Sequence, residues 1–321
     1  MKSLKIYIKP LSSFKTKFQS DTLFGQFCWM YGYLYGFNKL EEIIRNIDID
    51  KDYFIAFSDG FVDDLLPRPL IEPHSFEDDE LKNAKEYKKT EFVNAKFLIE
   101  NRENLNDKSI FEFCRNSKIK KEEASNTVNI LKNSINRISG TASEGQLYNS
   151  EETYFNDDVK IAIYVKYNEL VIPKDELLNI INQMGTLGFG KDASTGKGKF
   201  KIDGGNPSIT DEPEELKYFE GANAFMSLSH GIPEIYNGKP DCELNYGKIM
   251  TKFPKHGGFL SNGDYFKNPF IVYKPGSTFL INLVKDSDEI KEIYGTVLDN
   301  LSRHGENHVQ GTFLMPFFIK I

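Results

Sequence analysis

The run Gly185-Thr186-Leu187-Gly188-Phe189-Gly190-Lys191-Asp192-Ala193-Ser194-Thr195-Gly196-Lys197-Gly198-Lys199 holds the densest chemistry in the chain. Glycines let backbone N–H groups approach a phosphate closely, while Ser194, Thr195 and three lysines add hydrogen bonds and charge. It is not a Walker A loop: Gly198 stands where the magnesium-binding hydroxyl belongs, and the spacing from Gly190 to Gly196 is one residue too long. A Rossmann fingerprint fails as well, because this run follows a helical pattern and that motif follows a strand. What remains is a flexible, phosphate-tolerant loop. A plain glycine-rich turn before a strand is the competing explanation.

Other chemistry is sparser. His304-Gly305-Glu306-Asn307-His308 spaces two histidines by four, but Glu306 in the middle fits neither zinc-protease pattern. Cys28, Cys114 and Cys242 are far apart and form no C-x-x-C pair, which argues against a disulfide framework or structural zinc. No metal and no cofactor is expected. A metal-free ribonuclease would need a general base, His230, His256 or His74, beside a phosphate-stabilising lysine. His256, in Lys255-His256-Gly257-Gly258, has the most suitable neighbours.

The elements that must carry these residues come from 321 positions, enough for about two domains. An aromatic share of 13% argues against disorder. No apolar run reaches transmembrane length and the start lacks a signal-peptide pattern, so a cytoplasmic protein without membrane contact is expected. The net charge of −7 disfavours a simple nucleic-acid-coating protein. Yet residues 1–20 hold five lysines and no acid, and 246–258 hold Lys248, Lys252 and Lys255 with none. Such segregation suits one anion-binding face on an acidic body.

A strand is expected at about 4–9, then a loop holding Phe14, Lys15, Lys17 and Phe18. Ser20 should cap a helix with Asp21 in its first turn and Leu23, Phe24, Phe27, Cys28, Tyr31 and Leu34 on its buried face. Residues 38–130, polar and proline-broken, read as an insertion with short helices. Around Ser139–Gly145 the small residues suit a hairpin tip, although Val128, Leu131, Ile135 and Ile138 also fit a helix face. Val159–Tyr167 is a strand, Pro173 opens a helix and Gly185 should end it. This order matches a ferredoxin-like βαββαβ unit. After a linker near Asn206-Pro207, strands are expected at 222–229, 246–253, 270–274, 278–284 and 309–320, with a helix within 286–301. The expected class is α+β, with two ferredoxin-like (RRM-like) domains over 1–205 and 206–321.

The loop GFGKDASTGKGKF (188–200) resembles the glycine-rich loop of the RAMP proteins of CRISPR systems. SDTLFGQFCWMYGYLYG (20–36), SDGFVDDLLPRPL (58–70), NSINRISGTASEGQLYNSEETYF (133–155) and YGKIMTKFPKHGG (246–258) narrow the likeness. Together they resemble the fourth subunit of type III-A Csm effector complexes, from the first helix to the C-terminal domain. The resemblance implies that 133–155 is a thumb-like hairpin wedged against the guide RNA. It also implies a crRNA 5′ handle as ligand, a large polymerase-like subunit and a backbone RAMP subunit as partners, and only indirect contact with target RNA.

Single-stranded RNA is held by backbone-tracking cations and by rings that meet unstacked bases. Candidate contacts are Phe14, Lys15, Lys17 and Ser20 after the first strand, and Arg137, Ser139, Gly140, Thr141 and Ala142 in the hairpin. Gly188, Phe189, Gly190, Lys191, Ser194, Thr195, Gly196 and Lys197 follow in the loop, with Lys252 and Lys255 near the end. Competing explanations are that Phe18 and Phe189 belong to the core and that Arg137 pairs with Glu144 or Glu151. In related complexes the backbone subunits cleave target RNA with an aspartate after the first strand. No acid lies between Met1 and Ser20 here, and Asp21 suits a helix start, so a non-catalytic RNA-binding subunit is expected. The alternatives left are a metal-independent CRISPR RNA-processing endoribonuclease and a nucleotide-binding regulatory protein. RNA cleavage lost in a histidine variant, or saturable binding of a free nucleotide, would single them out.

Overall fold

The computed structural model describes residues 1–45, 53–78, 80–117, 124–205, 207–236, 238–257, 266–281, 290–299, 301–303 and 309–321. Strand β1 (Lys2–Pro10) buries Leu4, Ile6 and Ile8 by simple alternation. Helix α1 (Ser20–Tyr35) follows and buries Leu23, Phe24, Phe27, Cys28 and Tyr31 at helical spacing. Leu34, expected on that face, is exposed. Ser20 is not the cap either: Gln19 holds that position, and the Ser20 amide donates to Asp59 Oδ1 at 2.9 Å. A carboxylate distant in sequence satisfies the helix's first N–H, so local capping rules do not reveal it.

After α2 (Phe37–Arg45) the chain forms β2 (Ile55–Val62), a strand inside the stretch expected to be an insertion. Its alternation is hidden by a bulge between Phe57 and Gly60, where Ser58-Asp59-Gly60 reads as a turn. The expected short helices do occupy the next stretch. β3 (Leu65–Pro67) pairs with β4 (Phe92–Asn94), and α3 (Leu81–Tyr87), α4 (Ala95–Asn101) and α5 (Asp107–Asn116) surround them. Residues 125–155 then form a ribbon of β5 (Ser125–Ile135) and β6 (Ala142–Phe155). That settles the helix-or-hairpin ambiguity: the exposed flanks favour a two-stranded ribbon, about 35 Å long at roughly 3.3 Å per residue.

β7 (Ile161–Tyr167) returns to the sheet fully buried, and α6 (Lys174–Leu187) leads on to β8 (Phe200–Ile202) and β9 (Ile209–Asp211). The first sheet runs β2-β7-β1-β8, every pair antiparallel, with β9 also on β1. Helix α6 does not end at Gly185. That glycine lies within the helix where a Cβ would collide with the Phe200 carbonyl, and Gly188 at φ +101° is the cap. Gly185 thus serves close helix–strand packing.

The second sheet is built from β10 (Ala224–Ser227), β13 (Cys242–Tyr246), β16 (Thr278–Ile281) and β19 (Pro316–Ile319). Its order is β13-β16-β10-β19, again all antiparallel. Between these lie a two-residue pair, β11 (Ile235–Tyr236) with β12 (Lys239–Pro240), and a hairpin, β14 (Ile249–Lys252) with β15 (Phe270–Tyr273). The strand expected at 246–253 is therefore the end of one strand and the whole of another. The expected helix within 286–301 is corrected at 294–298, which is β17 (Tyr294–Leu298) paired with β18 (Gln310–Leu314). Gly295 at φ +94° is incompatible with a right-handed helix, and β-branched Thr296 and Val297 favour extended chain there. Residues 286–289 lie outside the described residues. The strand expected over 309–320 breaks at Met315, where the chain passes from pairing with β17 to pairing with β10.

One apolar core joins the two sheets: Leu4, Phe24 and Phe27 belong to the same cluster as Met226, Phe313 and Phe317. Phe24 meets Phe313 edge-on with centroids 5.6 Å apart. The class is α+β, and no described helix is long and apolar enough to cross a membrane. Phe27, fully buried between α1 and β2, is a test of this core. Phe27→Ala is expected to cost about 3–5 kcal/mol in urea unfolding; a loss under about 1 kcal/mol would contradict the packing.

Candidate nucleic-acid interface

Three segments meet at one carboxylate. Glu152, on β6 and only 1% exposed, accepts from Lys197 Nζ of the glycine-rich loop at 2.8 Å. It also accepts from Ser13 Oγ at 3.1 Å and Tyr154 Oη at 3.1 Å, and lies 3.3 Å from Lys15 Nζ. Lys132 Nζ, from β5, stands 3.7 Å away. Alternation along the ribbon puts Lys132 and Glu152 on the face turned to the body, and a bridge between Phe14 and Thr153 pins β6 to the loop after β1. Asp192 adds a second acid, bonded to Lys15 Nζ and 3.8 Å from Lys132 Nζ. The cluster thus sets three cations against two anions.

The glycine-rich loop is a folded element, not the flexible one expected. Phe189 N–H donates to Gly198 O at 2.8 Å, closing the loop on itself. Gly198 N–H donates to Ser13 O and Lys191 N–H to Thr16 Oγ1, fastening it to the loop after β1. Gln26 of α1 clamps it twice, through Gly188 O and Gly190 N–H. Gly198, at φ +72°, faces the Phe189 backbone so closely that no Cβ fits. Among the described residues the amides of Asp192, Ala193 and Ser194 donate to no protein acceptor. Asp192 and Ala193 are half-buried, and they border a surface where Lys191, Ser194, Thr195 and Gly196 are all exposed.

The candidate contacts separate accordingly. Lys17, Lys191, Lys255, Arg137, Ser139, Gly140 and Thr141 are exposed. At the ribbon tip Asn136 Oδ1 accepts from the Ile138 amide at 2.9 Å, and Ile138 stands 99% exposed. Arg137 pairs with no described acid, and the side chains of Ala142 and Glu144 lie outside the described residues. Phe14 and Phe189 are corrected to core residues, at 3% and 0% exposed; Phe189 stacks on Phe18 at 4.8 Å. Neither offers a ring face to a base. Ser20 is buried, and so is Lys252, whose Nζ bonds Asp21 Oδ1 at 2.9 Å and Gln19 Oε1 at 2.8 Å. Lys15, its side chain 2% exposed, is held between the carboxylates of Glu152 and Asp192. Sequence reasoning missed Lys132 and Glu152; their alternation with Asn133 and Glu151 along the ribbon was the available signal.

The residues considered for cleavage lie elsewhere. His230 Nδ1 is 3.0 Å from Asp59 Oδ1, and Ser20 Oγ meets only the His230 backbone, so no nucleophile–base pair forms. His74 Nδ1 is 3.0 Å from Asp107 Oδ2, and His256 Nε2 is 3.4 Å from Ser302 Oγ. His304 and His308 lie outside the described residues. Among the described residues no three His, Cys, Asp or Glu side chains converge as a metal site.

The Lys197 ammonium, helped by Ser13, Lys15 and Tyr154, holds the Glu152 carboxyl down to about 2 from an ordinary 4.5. A folded-state value below the unfolded one stabilises the fold above about 4.5, and that contribution is lost as pH falls toward 2. Glu152→Gln leaves Lys15 to Asp192 and Lys197 to Ser13 Oγ, so it should cost about 1–3 kcal/mol at neutral pH. It should also flatten the acid limb of stability. Urea midpoints from pH 7 to pH 3 check both, and an unchanged acid limb would refute the ion-pair role.

No family model matches the chain, and no curated protein matches its sequence. Solved structures do. A chain of the Csm1-Csm4 cassette in complex with cA4 aligns over 100% of this chain and 99% of its own, with TM-score 0.61 and 14% identity. The Csm1-Csm4 cassette in complex with pppApA gives the same coverage, with TM-score 0.60 and 12% identity. The Csm3-Csm4 subcomplex in the type III-A CRISPR-Cas interference complex aligns over 97% and 99%, with TM-score 0.53 and 22% identity. At such identities the likeness is one of fold. From end to end, the chain has the fold of a subunit of Csm assemblies whose shared component is Csm4.

Proposed function

We propose that this chain is a non-catalytic, crRNA-binding structural subunit of a type III-A CRISPR interference complex. It holds the 5′ handle of the guide, docks the large polymerase-like subunit and a backbone RAMP subunit, and meets target RNA indirectly. Its role is antiviral defence against foreign RNA and DNA. The observation that carries this reading is the fold likeness over the full length of both chains to structures whose common component is Csm4. Each sheet runs, in chain order, second–third–first–fourth strand. That order supports two ferredoxin-like domains, about 1–205 and 206–321, with the ribbon as a thumb inserted in the first.

The geometry agrees with RNA binding. The ribbon projects Arg137 and Ile138 at its tip, and a shallow depression of about 470 Å³ lined by Leu131, Lys132, Asn133 and Leu147 offers apolar surface to an unstacked base. Lys191 and Lys17 are exposed beside the contact of the Lys191 amide with Thr16 Oγ1. A non-catalytic role suits Asp21, the first acid after β1, because its carboxylate is buried against Lys252. It also suits His230, His74 and His256, each engaged in a structural contact.

Purifying the tagged protein from its host and sequencing the co-purified RNA tests the assignment. RNAs sharing one 5′ end, together with other complex subunits, are expected; a lone protein free of RNA would overturn it. For the surface itself, Arg137→Ala with Lys191→Ala is expected to weaken binding of single-stranded RNA. The slope of log K against log salt should fall by about 0.7 for each phosphate no longer neutralised. An unchanged slope would remove both residues from the interface.

A further inference from the structure

We infer that Lys15, Lys132 and the 192–194 backbone form a subsite for a single phosphodiester group, occupied in the free protein by the carboxylate of Asp192. The inference rests on the RNA-binding reading above and deepens it. Asp192 is a non-glycine residue at φ +63°, a left-handed conformation that aspartate tolerates better than most residues but that still costs energy. From it the carboxylate reaches Lys15 Nζ, and lies 3.8 Å from Lys132 Nζ, across the junction between loop and ribbon. The two acids of the cluster differ in kind. Glu152 is 1% exposed and bound on several sides, whereas Asp192 is 32% exposed and sits at the solvent edge.

A phosphodiester carries the same single negative charge as a carboxylate and presents acceptor oxygens of similar reach. Exchanging one for the other leaves the charge of the cluster unchanged. It also needs no new desolvation of Lys15, which Glu152 already holds in place. Lys132, with its side chain 33% exposed, is the accessible cation at the position. The neighbouring amides of Asp192, Ala193 and Ser194, without protein acceptors among the described residues, are donors such a group could use. Asp192 thus acts as a resident stand-in that orders the lysines and must be displaced on binding.

Asp192→Asn tests this in the full-length chain, because asparagine keeps the left-handed backbone and the carbonyl that receives the Thr195 and Lys197 amides. The readout is anisotropy of a labelled single-stranded RNA oligonucleotide at fixed salt. Affinity is expected to rise about two- to fivefold, the worth of a partly exposed ion pair. Glu151→Gln, the same charge change at an exposed ribbon position, should raise it clearly less. Adding Lys132→Ala to Asp192→Asn should abolish the gain. Asp192→Gly, which suits the left-handed backbone, is the second variant. If neither variant tightens binding beyond Glu151→Gln, or if Lys132→Ala leaves the gain intact, the subsite is refuted. A wild-type chain that binds no RNA would instead overturn the proposed function itself.

Discussion

A carboxylate withdrawn from water stays ionised only where cations and hydrogen-bond donors replace the water it has lost. Glu152 meets that demand by gathering Lys197 from the glycine-rich loop, Lys15 and Ser13 from the loop after β1, and Lys132 and Tyr154 from the ribbon. Rings meet at the same junction: Phe14 of the loop after β1 packs edge-on to Phe155 of the ribbon, and Phe18 stacks on Phe189 of the glycine-rich loop. The buried charge, these rings and the Phe14–Thr153 bridge together fix where the three segments meet. The loop's amides are mostly spent on the same purpose, so its glycines serve close backbone approach and left-handed turns more than mobility.

A second buried polar contact ties the halves of the molecule together. Asp59, at the bulge of β2, accepts from the first amide of α1 and from the ring of His230, while Ser20 Oγ bridges to the His230 backbone. Around it the apolar cores of the two sheets merge, with Phe24 and Tyr53 packed on Phe313. An aspartate, a serine and a histidine in proximity invite a catalytic interpretation. Their connectivity instead describes a joint: the hydroxyl faces a backbone amide and carbonyl, and the ring is anchored by the acid that also caps the helix.

Much of the first unit was legible in the chain. Alternation marked β1, a near-continuous apolar run marked β7, which is buried on both faces, and helical spacing marked α1 and α6. β2 was not legible, since its bulge places Ser-Asp-Gly inside the strand and imitates a turn. In the second unit the segment at 294–298 could be misread as helical, because pairing with residues 310–314 is information that lies in neither stretch alone. The glycine-rich loop was legible by composition as a candidate phosphate site, whereas an RNA role for the hairpin was implied only by the family resemblance.

Residue types and their spacing determined that the chain is an α+β protein with a glycine- and lysine-rich loop, since those features follow from local periodicity and composition. The stretch around 128–148 fitted a helix face and a hairpin alike. Only the tertiary structure decided which cations remain available. Lys5 and Lys252 lie among sequence lysines that look alike, yet burial against Glu215 and Asp21 makes them structural, while Lys191 and Arg137 stay in solvent. The physical reason is that a charge is costly to bury alone, so the fold sets Lys5 and Lys252 against acids far away in sequence, and no local pattern records that choice.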